Sequence, residues 1–222
     1  MASDKPLVIG YSGSLAFYEG EHKPDMRGGI RDWFWTYNHN ITDPSTRSAS
    51  FLFRAIRNLK QRINITGDDL KVELWGSISQ HYRTQADELG IAEHVVISGY
   101  LPKTESNRKM SECDIMFLPM ESPTAAGNPL FIPGKAYEYM HIGKLILALA
   151  MKCDCTDVLQ PSGLLTRFDP TDEVGIAKWL GEVISDRNHL VVKANAQYIE
   201  QYSFRNITGQ VAAVFDEILG KK

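Results

Sequence analysis

Lys135 and Glu138 stand three residues apart in the run Pro133-Gly134-Lys135-Ala136-Tyr137-Glu138-Tyr139-Met140. The run has the punctuation of a short helix: proline and glycine suit its start, and Gly143 suits its end. At this spacing an ammonium and a carboxylate share one helix face. A cation in the first turn opposes the helix dipole by about 0.3–1 kcal/mol, and an anion brought to that turn offsets the cost. Two readings follow. Either the cation meets an anionic group while the carboxylate accepts from hydroxyls, or the two side chains pair with each other. Arg47 is a second candidate cation. It follows Asp43-Pro44, an N-cap and a first-position proline, and is expected in the first turn of a helix carrying Phe51, Leu52, Ala55, Ile56, Leu59 and Ile63 on one stripe.

Such side chains need a rigid frame, and the hydrophobic periods supply one. Strands are expected at 6–11, 71–75, 94–98, 114–118, 145–149 and 163–168. Helices are expected near 79–89, 104–112 and 171–185, with a helical tail over 188–222. The segment 145–149 is apolar on both faces, as a central parallel strand must be. The alternation predicts an α/β fold, a Rossmann-like parallel sheet of about six strands with helices on both faces, in a single domain over 1–222. Ligands of such sheets bind beyond the carboxyl ends of the strands. Loops expected there are rich in small residues: Ser12-Gly13-Ser14, Gly76-Ser77, Gly99-Tyr100-Leu101 and Gly127-Asn128-Pro129. Small residues let backbone amides come close to a phosphate.

Composition narrows the function classes. The chain has 222 residues, 43% hydrophobic and 23% charged, with a formal net charge of -3, and no basic stripe interleaved with aromatics. Nucleic acid is therefore not an expected partner. The three cysteines, Cys113, Cys153 and Cys155, are too few for a disulfide framework and lack histidines at zinc-finger spacing, so structural thiols are expected and no metal site. There is no Gly-x-Gly-x-x-Gly and no Gly-Lys-Ser/Thr loop, which argues against a nicotinamide dehydrogenase or an ATPase. The first strand begins almost at the amino terminus and no apolar run reaches membrane-spanning length, so a cytoplasmic location is expected, with the inner membrane face as its one extension.

Taken together, these segments resemble the carboxyl-terminal, donor-binding domain of retaining GT-B glycosyltransferases of the group 1, family 4-like kind. The resemblance runs over nearly the whole chain. It rests on Ser12-Gly13-Ser14, on Val72-Glu73-Leu74-Trp75-Gly76-Ser77, on His94-Val95-Val96-Ile97-Ser98-Gly99-Tyr100-Leu101, on Cys113-Asp114-Ile115-Met116-Phe117-Leu118-Pro119, and most specifically on residues 132–140. It implies one half of a GT-B fold that binds a nucleotide diphosphate-sugar, such as a UDP-, GDP- or dTDP-sugar, without a separate cofactor. Glu138 then matches the glutamate that holds the ribose hydroxyls. Gly99, Tyr100 and Leu101 match the turn that reads the base, Gly13 the turn under the diphosphate, and Gly127, Asn128, Pro129 and Leu130 the loop facing phosphate and sugar. Ser12, Ser14, Ser77 and Lys135 complete the nucleotide-binding set.

Two departures from that pattern stand out. Leu130 occupies the place of the family's first glutamate, with Glu121 the nearest acidic residue upstream, out of register. The diphosphate cations that many members carry after the first strand are replaced by an aromatic-rich insertion at about 15–41, holding Phe17, Tyr18, Trp33, Phe34, Trp35 and Tyr37. Arg47 is the expected substitute charge, with Lys23 and Arg27 behind it. The insertion either folds back over its own domain or touches a partner, namely the missing amino-terminal acceptor domain or a membrane carrying a lipid-linked acceptor. The resemblance implies that the chain is part of a longer hexosyltransferase acting with retention, in polysaccharide or glycoconjugate synthesis. The competing readings are a non-catalytic nucleotide- or partner-binding subunit and a GT-B-type nucleotide-sugar epimerase.

Overall fold

Six strands form one parallel sheet in the order β4-β3-β1-β5-β7-β8. They are β1 (Leu7–Leu15), β3 (Leu70–Ile78), β4 (Val95–Ser98), β5 (Ile115–Pro119), β7 (Leu145–Leu149) and β8 (Leu165–Phe168). A separate antiparallel pair joins β2 (Thr42–Asp43) to β6 (Ser122–Pro123). The computed structural model describes residues 5–15, 42–123 and 131–220, so the insertion at about 15–41 beyond Leu15, and Gly127, Asn128, Pro129 and Leu130, lie outside the described residues.

Strand alternation divides the core between two faces. In β5, Ile115 and Phe117 enter one hydrophobic cluster while Met116 and Leu118 enter the other. The first face is covered by α1 (Ser50–Arg62), α2 (His81–Glu88) and α6 (Glu173–Ser185), which contribute Leu52, Tyr82 and Leu180. The second is covered by α3 (Lys103–Glu112), α4 (Gly134–Ile142) and α5 (Asp154–Leu159), through Met110, Tyr139 and Leu159. The expected sheet wrapped on both faces is thus the observed one. α7 (Ala196–Glu200) and α8 (Phe204–Ile218) follow, and no residue of either is buried.

Several boundaries differ from the sequence expectation. Ser12-Gly13-Ser14 and Gly76-Ser77 are not loops beyond the strands. β1 and β3 run on through them in register, with Gly13 beside Gly76. Both glycines have positive φ, +147° and +117°, and a Cβ built on Gly76 would lie 2.2 Å from the Gly13 carbonyl oxygen. Glycine at position 76 is what keeps the ladder closed there. Asp43 and Pro44 cap a single 3-10 turn (Pro44–Thr46) rather than the long helix. The chain breaks because Thr46 Oγ1 bridges to the Met120 carbonyl (3.0 Å) and the Ser122 amide (2.7 Å), while Ser48 Oγ accepts from the Ser50 amide at 3.1 Å. α5 was not foreseen. It starts where the Cys153 amide donates to Thr156 Oγ1 at 3.0 Å. The expected tail over 188–201 is a 3-10 turn (Arg187–Leu190), irregular chain and α7.

The cysteines behave as structural thiols. All three are buried and unpaired, and burial pushes Cys113 and Cys155 up to about 12, leaving them protonated at neutral pH.

His94 makes stability sensitive to acid. Its ring is fully buried beneath β3, with Nδ1 3.0 Å from the Leu70 carbonyl oxygen and Nε2 without a hydrogen-bond partner among the described residues. Burial lowers its pKa below the ordinary histidine value. The Leu70 carbonyl and Glu93 act in the opposite sense, and Lys60 and Lys71 reinforce the lowering. An unfolded chain therefore takes up this proton first, near pH 6.5. The stability held by neutral His94 is complete above that pH and falls as pH drops toward the lower native value. His94→Asn keeps a donor for Leu70 but has no proton to gain. We expect unfolding curves at pH 7.5 and 5.5 to show a loss for the natural chain that shrinks in the variant. An equal loss in both would clear His94 of the effect.

Candidate functional site

A cavity of about 1180 Å³ opens at the carboxyl ends of β1 and β5, along α3 and α4 and against the start of α8 at Phe204 and Ile207. Among the described residues three cations line it, Arg47, Lys103 and Lys135, together with the carboxylates Glu121 and Glu138.

α4 begins and ends where its sequence says it should. Pro133 is the N-cap residue with extended backbone, and Gly143 closes the helix at φ +73°. Lys135 therefore sits in the first turn, where it lies across β1. A Cβ built on Gly13 would stand 2.4 Å from the lysine Nζ, so the absent side chain of Gly13 is what lets the ammonium reach the strand. Nζ is also 5.7 Å from the centroid of the Tyr11 ring. Lys135 has no ion pair within 4 Å among the described residues. Burial lowers its pKa from the ordinary lysine value. Glu138 counteracts this, and Arg47 and Lys103 add to it. A half-buried ammonium at a helix start, facing two further cations, is a place where an anion is favoured on three counts.

Glu138, one turn on, pairs with Lys103 Nζ at 2.8 Å and not with Lys135, so the self-satisfying Lys135–Glu138 pair is not the arrangement found. Arg47 is not in the first turn of α1, as its sequence context had implied; it is the residue that ends the 3-10 turn. It still reaches the cavity, where Nη2 donates to the Ser14 carbonyl at 3.1 Å and Nη1 lies 3.5 Å from Glu121 Oε1. Tyr11 donates its hydroxyl to the same Ser14 carbonyl at 2.9 Å.

The remaining predicted residues divide. Gly13 and Ser14 belong to this cluster through their backbones. Ser12 turns its hydroxyl inward, 3.0 Å from Ser106 Oγ, which also accepts from Trp75 Nε1 at 2.8 Å. Its amide meets the hydroxyl of Tyr139 at 3.4 Å. Ser12 is thus an anchor for the β1 end, tied to α3 and α4. Gly99, Tyr100 and Leu101 form the link from β4 to α3, just before Lys103, and do not line the cavity. Tyr100 projects into solvent at 86% exposure, so it is not the half-buried tyrosine that would mark a packing role. Ser77 is exposed in the outer part of β3 and does not border the cavity.

Lys103, Tyr11 and Glu121 join the site without having been singled out as part of it. Lys103 had a signal, since it directly follows Pro102 and opens α3. Glu121 stood in the sequence only as an acidic residue out of register with the family's first glutamate. The β2–β6 pairing brings it opposite Arg47, 74 positions earlier in the chain.

A six-stranded parallel sheet wrapped by helices on both faces is a fold that solved structures share. A glycosyltransferase from Rickettsia africae matches at 13% identity and TM-score 0.64, over 99% of this chain and 49% of its own. The Anabaena protein HepE, solved with UDP, matches at 17% identity and TM-score 0.60, over 96% of this chain and 49% of its own. The lipopolysaccharide outer core galactosyltransferase WaaB matches at 17% identity and TM-score 0.59, over 96% and 50%. The chain accordingly has the fold of one half of a GT-B glycosyltransferase, and it spans about half the length of these structures. No protein-family model and no curated protein matches it in sequence. At these identities the likeness concerns the fold.

Proposed function

We propose that the chain is the donor-binding half of a glycosyltransferase, taking a nucleotide diphosphate-sugar at the cavity between β1, α3 and α4. The observation that carries this reading is Lys135, a half-buried ammonium laid against Gly13 at a helix start with no ion pair among the described residues. The diphosphate sits on Lys135, the α4 amides and Arg47, and Glu138 exchanges Lys103 for the ribose hydroxyls. The 99–101 segment, next to Lys103, takes the base. HepE solved with UDP and with UDP-glucose supports a donor of this kind.

In transfer, negative charge builds on the leaving diphosphate, and Lys135, Arg47 and the helix amides stabilise it without rearranging. The reaction proceeds with retention, and the acceptor is a growing polysaccharide or glycoconjugate. A second half supplies the acceptor site. α8 supports this, because beyond Phe204 and Ile207, which border the cavity, it exposes Val211, Val214, Phe215 and Ile218 and buries nothing in the described residues. Among the described residues no helix is long and apolar enough to cross a membrane.

Thermal unfolding of the chain against UDP, GDP, dTDP, ADP and CMP tests the reading. One diphosphate should stand out, with about 2.7 kcal/mol of stabilisation at 100 times its dissociation constant. No shift with any nucleotide contradicts it. Glu138→Ala should leave the unfolding temperature of the free chain unchanged and abolish discrimination between ribose and 2′-deoxyribose forms of the preferred diphosphate. Retained discrimination would remove Glu138 from the ribose role.

A further inference from the structure

We infer that Glu121 is a built-in competitor for Arg47, one that weakens the site's hold on a free diphosphate more than on a diphosphate esterified to a sugar. The inference rests on the donor-site reading above. Arg47 spends Nη2 on the Ser14 carbonyl and presents Nη1 to Glu121 Oε1 at 3.5 Å. An anion arriving at that edge displaces the carboxylate or shares the guanidinium with it.

The pairing is framed by the fold and is not a chance meeting of long side chains. Thr46, the residue before Arg47, uses one buried hydroxyl to hold both neighbours of Glu121. It donates to the Met120 carbonyl at 3.0 Å and accepts from the Ser122 amide at 2.7 Å. The β2–β6 pair closes the same frame, with Asp43 in register with Ser122. Backbone on both sides of Glu121 is therefore fixed to the backbone that carries Arg47.

The consequence is electrostatic. A free nucleoside diphosphate carries one more negative charge than its sugar ester, because its terminal phosphate keeps a second ionisation near pH 6. A fixed carboxylate at the diphosphate end repels the more charged species more strongly. Glu121 thus weakens the site's hold on the product more than its hold on the donor, and returns to Arg47 when the product leaves.

The test compares the natural chain, Glu121→Gln and Arg47→Ala by calorimetric titration with UDP, GDP, dTDP and ADP, each beside its glucose ester, at low and high salt. Glu121→Gln should bind the free diphosphate about three- to tenfold more tightly and the ester by a smaller factor, with both gains shrinking in salt. Arg47→Ala should weaken both. Unchanged or weaker diphosphate binding in Glu121→Gln, alongside a loss in Arg47→Ala, overturns the competitor role and leaves the donor site standing. If the natural chain binds none of these ligands, both readings fall.

Discussion

Lys135→Ala is expected to cost about 10- to 100-fold in affinity for a nucleoside diphosphate, the loss of one strong charge-assisted contact of about 1.5–3 kcal/mol. The same substitution should leave nucleoside affinity nearly unchanged, since the proposed donor pose turns base and ribose toward Tyr100 and Glu138, away from Lys135. Its effect on the free chain runs the other way. In the unliganded fold the ammonium is partly desolvated, stands at the positive end of a helix and feels Arg47 and Lys103. Removing it should leave stability equal or slightly raised, the trade between function and stability that a binding cation shows. Titration calorimetry with a diphosphate and its nucleoside, beside thermal unfolding of the free variant, reads both quantities. A variant that loses stability and keeps its diphosphate affinity would mark Lys135 as a structural residue.

The second large effect is expected at Gly76. Alanine there must adopt φ near +117° and bring its Cβ to 2.2 Å from the Gly13 carbonyl oxygen, 3.0 Å from its carbon and 3.1 Å from its nitrogen. These are backbone atoms in the adjoining strand, so no side chain can swing aside. Strain and overpacking together predict about 2–4 kcal/mol of destabilisation, or about 5–15 °C in unfolding temperature for a domain of this size. Gly13→Ala is the instructive contrast. Its Cβ meets Cε and Nζ of Lys135, at 2.3 and 2.4 Å, which are the far end of a flexible chain. The ammonium is pushed off the strand, so Gly13→Ala should lose diphosphate affinity in larger proportion to its stability loss than Gly76→Ala does. Thermal unfolding of the two variants separates them. An unfolding temperature for Gly76→Ala within 2 °C of the natural chain would mean the two strands part more easily than the geometry implies.

Much of this architecture was legible because local and tertiary preferences agree. The run 145–149 is apolar at every position and becomes β7, buried on both faces. Pro133 and Gly143 bracket α4 as expected, which placed Lys135 and Glu138 one turn apart on the cavity side. The misreadings share one cause. Glycine and serine near Gly13 and Gly76 read as strand ends, yet the ladder continues because Gly76 leaves room for the Gly13 backbone, a relation between positions 63 residues apart. Asp43-Pro44 carries a sound helix-start signal, but Thr46 is drawn to Met120 and Ser122 instead of extending a helix. The same long-range contact brings Glu121 to Arg47, so the carboxylate that looked out of register faces the cavity after all. Lys103 claims Glu138 across 35 positions, which spacing along one helix does not reveal.

Amide chemical-shift mapping of the whole chain, titrated with the diphosphate that stabilises it best, tests the central claim most directly. The account predicts the largest changes at Gly13 and Ser14, at Arg47, at Gly134 and Lys135, and at Glu138, with a second group at residues 99–103. Saturating changes confined to the opposite face of the sheet, over α1 and α6, would contradict it.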